Sequence, residues 1–600
     1  MTRAPSPTAS PRRLILAALL LLPGIAQAAE VSLSAPRAPD ELRDKLEAAS
    51  AVMSAETNEL TSTQELLAAA NADYRTMVQV LYDGGYFSPE VRILVDGREA
   101  ATIPPLSPPA RIGTIRIAID PGPTFRFGRA EVAPLAPDTE MPKEFATGEP
   151  ASTGAIRDAT GAAVKGWREI GHAKARPGRQ DIVADHPRRT LNAAIAIDQG
   201  PQLRFGQMTI SGESNVRREA IRRIAGFPEG EVFSPAKIQR VGTRLRQTGA
   251  FKSVGLDEAE QPNPDGTLDF DVAVEDQKPR RISFGAEISS RQGVELSAGW
   301  MHRNLWGAAE RLRIEGRLRN IGGEEDIDGL FLIRLDQPAR LGPDDSLFYI
   351  LELERQSKPH YTLTRLYGGV GVRRTFSDKL WAEISLQAGW SRADDVFGER
   401  DFKMLTMPVK VQWDRRDDPV SATSGFFLET EITPFLGFSD TASGARFHAD
   451  ARAYYGFGAS DRIVLAGRVQ MGSVLGASLS ETSPDLLFYS GGASTVRGQP
   501  YQSLGVPVGT GMAGGRSILT ASAEIRAHVT EKFSVGGFYD VGAVDSGQFV
   551  GSGSRHHSGA GLGVRYDLGG LGPLRLDLAL PVDGDTGKGL QFYLGIGQAF

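Results

Sequence analysis

Few side chains in this sequence are placed for covalent chemistry. Cysteine is absent, which removes thiolate nucleophiles, thiolate metal sites and disulfides together. No Gly-x-Ser-x-Gly elbow, His-Glu-x-x-His pair or phosphate-binding P-loop occurs. His556 and His557 could suggest a metal, but adjacent residues of a strand face opposite ways, so the spacing predicts a loop or surface pair. Gly559-x-Gly561-x-Gly563 imitates a nucleotide fingerprint, yet it lies in a strand pattern with no helix after it. The expectation is a protein that is not an enzyme, with no cofactor and no metal. The charge balance, 67 basic against 73 acidic residues, argues against a nucleic-acid partner. What remains is charge on alternating segments. Glu524 and Arg526 fall opposite Leu519, Ala521, Ala523, Ile525 and Val529, and Asp540 falls opposite Val535, Tyr539 and Val541. Taken singly, each such charge reads as a solvated residue.

The elements that carry these residues are strands. Glycine marks a break: of 69 glycines, 22 lie in residues 1–276 and 47 in residues 277–600. From Arg280 onward apolar residues keep to one parity, as in Leu574, Leu576, Leu578 and Leu580, or Leu590, Phe592, Leu594 and Ile596. Sixteen such segments occur, at roughly 20 residues per strand and connection, and the even count fits a bacterial transmembrane barrel. Tryptophans Trp300, Trp306, Trp381 and Trp390 stand near strand ends, where interfacial girdles sit. No stretch of the sequence reaches the length of a membrane helix, so a span must be a closed barrel. One connection, some 43 residues before Arg516, is out of scale and carries Val496-Arg497-Gly498.

The first part repeats. Gly122-Pro123-Thr124-Phe125-Arg126-Phe127-Gly128 returns 78 residues later as Gly200-Pro201-Gln202-Leu203-Arg204-Phe205-Gly206. Helical spacing follows in each copy (Ile156, Ala159, Val164, Trp167; Ile238, Val241, Leu245), with Ser234-Pro235 as a helix start and Gly171 and Gly249 as stops. A more divergent copy precedes them, ending at Gly84-Gly85. Each unit reads β-α-α-β-β, three times over. Such modules could be spacers, or their exposed sheet edges could take up an extended client strand. At the N-terminus, Arg12-Arg13, the apolar run Leu14–Leu22 and Ala26-Gln27-Ala28 predict a signal peptide over residues 1–28.

Together these residues resemble the BamA/TamA family of outer-membrane barrel assembly proteins, over nearly all of the mature chain. The carriers are Val496-Arg497-Gly498-Gln499, matching the family's Val-Arg-Gly-aromatic loop tip, and Phe538-Tyr539-Asp540-Val541-Gly542, matching Phe-x-Asp-x-Gly. Trp413-Asp414-Arg415-Arg416-Asp417-Asp418-Pro419, followed by Thr423-Ser424-Gly425, resembles the family's Asp-x-Arg-Asp-x-Pro segment. Three amino-terminal modules, instead of five or two, place the resemblance nearest the TamA branch. The resemblance implies an α+β and all-β chain. Polypeptide-transport-associated (POTRA) modules cover 29–120, 121–200 and 201–277, and a 16-stranded outer-membrane β-barrel covers 278–600.

It also implies roles. The sixth extracellular loop would fold into the lumen and its Arg497 would pair with Glu524 and Asp540, a lock in which Gly498 and Gly542 take part. Bidentate geometry makes arginine the natural partner of two carboxylates. The tip is Val496 and Gln499, and Gln499 stands where the family has an aromatic. Strands one and sixteen would meet at a weak lateral seam, loosened by Gly285, Gly595 and Gly597 and ended by Phe600. The expected function is insertion of β-barrel clients such as autotransporters from the periplasm into the outer-membrane lipid bilayer. The POTRA modules would dock unfolded clients or a TamB-like inner-membrane-anchored partner. The alternative is a two-partner-type secretion transporter or passive pore that passes cargo through the lumen.

Overall fold

A computed structural model describes residues 29–54, 62–289, 293–323, 325–439, 441–458, 461–530, 532–569 and 573–596. The expected signal peptide lies outside the described residues, as do Gly597 and Phe600. The chain divides into two units, Met1–Gln202 and Leu203–Phe600.

The first unit holds two small α+β sheets. In the first, Glu30–Ser34 runs parallel to Thr114–Asp120, which pairs antiparallel with Glu90–Val95, and the short Arg98–Glu99 follows at the edge. Helices Asp40–Ala49 and Thr63–Asp83 cover it, burying Leu46, Met77 and Leu81 against Ile93, Ile115 and Ile117. Ser62 and Glu65 close a reciprocal capping box that fixes where the second helix starts. The second sheet orders Arg126–Ala133, Thr190–Asp198 and Arg176–Asp185, the last at an exposed edge. Here the expected two helices are one, Thr153–Glu169; residues 134–152 form turns, because Pro134, Pro142 and Pro150 interrupt any helical run.

The second unit opens with the full β-α-α-β-β order: Arg204–Ser211, helices Arg218–Ala225 and Pro235–Gln247, then Phe251–Glu258 and Thr267–Asp276. Ser234 stands at the N-cap but makes no capping hydrogen bond; Pro235 alone marks that start. This module is fastened to the turns below the first barrel strands. Arg244 makes paired bonds to Asp344 at 2.6 and 2.8 Å, the Asn304 amide donates to the Asn215 carbonyl, and Ala308, Ala309 and Ala339 join the module's own core.

Beside a two-stranded piece, Val506–Val508 with Gly511–Ala513, the remaining sheet is antiparallel throughout and runs in chain order. Its strands are Arg280–Ser289, Gly293–His302, Arg311–Ile321, Asp328–Pro338, Asp345–Lys358, Tyr361–Ser377, Leu380–Asp395, Gly398–Thr406 with Val409–Asp414, Gly425–Phe438, Gly444–Phe457, Ile463–Leu475, Ser517–His528, Phe533–Asp545, Arg555–Asp567, Pro573–Asp583 and Gln591–Ile596. The eighth strand is written in two pieces because Pro408 lacks an N–H; both pieces keep one register against strands seven and nine, so sixteen strands result. Alternation sorts the faces. Leu519, Ile525, Tyr539 and Leu578 are exposed outward, while Glu524, Asp540 and Asp577 are buried inward.

Trp390 follows the outward rule, but Trp381 does not. It has the opposite parity and lies under the Arg373 guanidinium, 4.1 Å from its ring centroid, so it belongs to the inner face rather than a girdle. No helix among the described residues is long and apolar enough to cross a membrane.

Candidate functional site

The connection between strands eleven and twelve folds back into the lumen, and its tip is clamped by the inward residues of strands twelve to sixteen. Arg497 is 2% exposed. Its backbone N–H, Nε and Nη2 all donate to the Asp540 carboxylate, at 3.0, 2.7 and 2.9 Å. Its Nη1 donates to Glu524 at 3.2 Å and to Asp577 at 3.1 Å. The guanidinium carbon sits 3.4 Å above the centroid of the Phe538 ring. The motif Phe538-x-Asp540-x-Gly542 thereby has a physical reading: period two puts all three on the inner face, as a stacking plane, a carboxylate and a gap. A Cβ at Gly542 would lie 2.8 Å from Val496 and 2.6 Å from Ser490, so the tip fills the space that glycine leaves.

Further cations share the carboxylates. Arg526 donates to Glu524 at 2.8 Å, Arg565 lies 2.5 Å from Glu524, and Arg575 donates to Asp577 at 2.7 Å. Buried charges of this density are sustained only by mutual pairing. Sequence reading brought Arg497, Glu524 and Asp540 together; it left out Asp577, Arg565 and Arg575, whose inward parity was visible but whose strands lie far along the chain. It left out Phe538 as a stacking partner too.

The tip is held through its backbone as well. Gly498 adopts φ +87°, and a side chain there would strike the Leu580 carbonyl. Its N–H donates to the Tyr593 hydroxyl on strand sixteen, which in turn donates to the Gln499 carbonyl. Gln499 is fully buried. Its amide donates to the carbonyls of Ser558 and Asp583 at 2.7 and 3.1 Å, and it accepts from the Thr586 hydroxyl at 2.9 Å. Hydrogen bonds thus occupy the place of aromatic packing. Because Thr586 donates to Gln499, it must accept from Nδ1 of His557, which leaves Nε2 to accept from Ser490; both contacts are 2.8 Å. His557 is therefore a buried loop anchor, contrary to the expected surface pair. His556 alone is exposed, beside Asp583.

Gly559, Gly561 and Gly563 also acquire a role. A Cβ on Gly559 would lie 1.9 Å from the Arg497 carbonyl, one on Gly561 would enter the Phe538 ring at 2.5 Å, and one on Gly563 would meet Asp577 at 2.2 Å. Strand fourteen is a trough cut to receive the tip and two of its partners. No group of acidic or histidine side chains suited to a metal ion occurs among the described residues.

An Omp85 superfamily domain matches residues 304–600, and a surface antigen variable number repeat, the POTRA domain, matches residues 203–275. Residues 304–600, the barrel strands from the third onward, are an Omp85 superfamily domain. It is 22% identical over 211 residues, 33% of its length, to the outer membrane protein assembly factor BamA of Neisseria meningitidis serogroup B, and spans a quarter of that relative's length. In fold it matches a crystal structure of BamA from Haemophilus ducreyi lacking POTRA domains 1–3. The TM-score is 0.60 at 14% identity, covering 78% of this chain and all of that one. CdiB from Acinetobacter baumannii aligns at 14% identity with a TM-score of 0.49, over 79% of this chain and 89% of its own. This Omp85 protein resides in the Gram-negative outer membrane, with its POTRA modules in the periplasm.

Two other candidate regions fall elsewhere on this Omp85 barrel. The segment Asp414–Gly425 is the periplasmic turn between strands eight and nine, where Arg416 clasps Asp414 and Asp417 accepts from Thr423 and Ser424. At the seam, among the described residues, no ladder joins strand one to strand sixteen. Gly285 is not a simple loosening of that strand: a Cβ there would lie 2.5 Å from the Ser297 hydroxyl, so the glycine admits a close neighbour. At Gly595 a Cβ would meet nothing within 4 Å.

Proposed function

We propose that this chain folds and inserts other outer-membrane β-barrels through a lateral opening between its first and sixteenth strands. The observation that supports the reading is the seam, where strands one and sixteen approach each other and no ladder joins them among the described residues, which end strand sixteen at Ile596. An unpaired edge templates an incoming strand through its free N–H and C=O groups, whatever the client's side chains. The loop tip lodged among strands twelve to sixteen supports a sideways route over passage through the lumen. The name of the Neisseria relative, an assembly factor, agrees with it.

No covalent step is required; the protein supplies an edge, and the client's own strand pairing drives insertion. In the periplasm, the edge strand Arg176–Asp185, with Ile182 and Val183 exposed, is suited to receive a client segment or a TamB-like partner. Autotransporters are the proposed clients.

Because the chain contains no cysteine, pairs of cysteines between residues 281–285 and 591–595 can be introduced cleanly. Oxidative closure of the seam is expected to stop client assembly in proteoliposomes, and reduction to restore it. Assembly undiminished with the seam shut would overturn the reading and favour a two-partner-type transporter that uses the lumen.

A further inference from the structure

The outer wall of the barrel carries a hollow that the assembly mechanism does not use. On the outward face of strands two to four, Ala298 faces Gly316, and Gly329 lies across from Leu318. A Cβ on Gly316 would meet nothing within 4 Å, and one on Gly329 only a Leu318 methyl at 3.9 Å. These small residues form the floor of a groove of about 910 Å³. Phe284, Leu318, Phe331 and Leu353 wall it, and Phe284 is 84% exposed. That volume is in the range of sites that enclose a ligand.

The groove has a position and a polarity. With the POTRA modules in the periplasm, strand one leaves the periplasmic side at Arg280, so strands three and five end on the extracellular side at Ile321 and Lys358. The groove therefore lies in the extracellular half of the wall. Arg355 borders it there, on the same outward parity as Leu353. Its side chain is 60% exposed, and its partner Asp326 is 3.8 Å away and more exposed still. An outward cation above an apolar trough suits an amphiphile with acyl chains below and an anionic head above.

The backbone decides between lipid and client strand. Every strand under the groove is paired on both sides from strand two to strand five, so the floor offers no free N–H or C=O. A client strand would need those groups; an acyl chain needs none.

We propose that this groove binds a phosphorylated glycolipid of the outer leaflet, with an acyl chain over Gly316 and Gly329 and a phosphate on Arg355. The phosphate would receive charge-assisted bonds from the guanidinium, with the Thr364 hydroxyl, which faces Arg355 across the ladder, as a further donor. Bound lipid would sit beside strand one, whose Phe284 walls the groove.

The test uses the full chain in detergent, titrated with diphosphoryl lipid A or with phosphatidylethanolamine and read by native mass spectrometry. The wild type is expected to retain one lipid A in preference to phosphatidylethanolamine. Gly316→Leu places its Cβ in open space and its side chain in the hollow, and is expected to weaken lipid A binding about tenfold or more. Arg355→Gln is expected to weaken lipid A about tenfold and phosphatidylethanolamine, whose single phosphate is offset by its own ammonium, far less, and Arg355→Lys to recover part of the loss. Heat-modifiable migration on gels verifies that each barrel is folded; if Gly316→Leu fails this check, the Arg355 pair decides alone. Equal binding of both lipids by the wild type, or lipid A binding indifferent to Arg355, would overturn the proposal. So would capture of an extended client peptide in the groove in place of lipid.

Discussion

Replacing Arg497 by methionine isolates the cost of one orphaned charge. Among the described residues every donor to the Asp540 carboxylate belongs to Arg497, whereas Glu524 keeps Arg526 and Arg565, and Asp577 keeps Arg575. Arg497→Met therefore leaves one uncompensated carboxylate, at 1% exposure, and retains most of the apolar volume. Stranding one member of a buried ion pair costs about 3–5 kcal/mol, which is roughly two to three and a half orders of magnitude in the ratio of undocked to docked loop. Asp540→Asn in the Arg497→Met background removes the stranded charge and is expected to restore about half of the loss or more, since removing both partners is far less costly than removing one.

The reporter is Val496→Cys, fully buried in the docked tip and the sole thiol in the chain. Maleimide labelling in the folded barrel follows the undocked population. A labelling rate that rises less than tenfold in Arg497→Met, or that Asp540→Asn leaves unchanged, would refute the reasoning.

Other perturbations separate the tip's remaining supports. Gly559→Ala places a methyl 1.9 Å from the Arg497 carbonyl and is expected to raise Val496→Cys labelling, by overpacking worth about 1–3 kcal/mol; Gly542→Ala, which meets movable side chains, should do less. Tyr593→Phe removes the hydroxyl that bridges Gly498 and Gln499, strands a backbone N–H, and should lower barrel stability by about 1–3 kcal/mol in urea titration. Outside the membrane, bonds from the Arg244 guanidinium hold the Asp344 carboxyl below its usual range, with Arg240 and Arg374 adding to the effect. A lowered value means that this contribution is complete above about pH 3.9, the free aspartate value, and is lost as pH falls through the native one. Proteolysis of the segment after Asp276 should accelerate in that acid window, while Asp344→Asn should be fast already at neutral pH. Identical pH profiles for the two would count against the pairing.

Much of this molecule was legible because period two is a strong signal over long segments. Sixteen strands, the inward set Glu524, Arg526 and Asp540, and the outward Leu519 and Ile525 follow from alternation alone. Pairing across sequence distance did not follow. Asp577 and Tyr593 reach the tip from 80 and 95 residues away, and nothing in their own segments distinguishes them from other inward residues. The glycines of strand fourteen looked like a failed nucleotide motif because their reason is a neighbour's shape, which parity cannot express. His557 was read as a loop or surface residue for the same reason, since its burial comes from a loop folding over a strand end. The single helix of the second sheet was missed because a repeat at the level of seven residues carries no guarantee for the segment that follows it.

The fastenings of the sixteen strands are unevenly distributed around the cylinder. The periplasmic module grips turns among the early strands through Asn304 and Asp344, and the buried arginine grips the late ones. Each arc is thus stiffened by a different brace, and among the described residues no ladder spans the boundary where the circle begins and ends. On the lateral-opening proposal, a pull delivered from the periplasm would spread the cylinder at that boundary first.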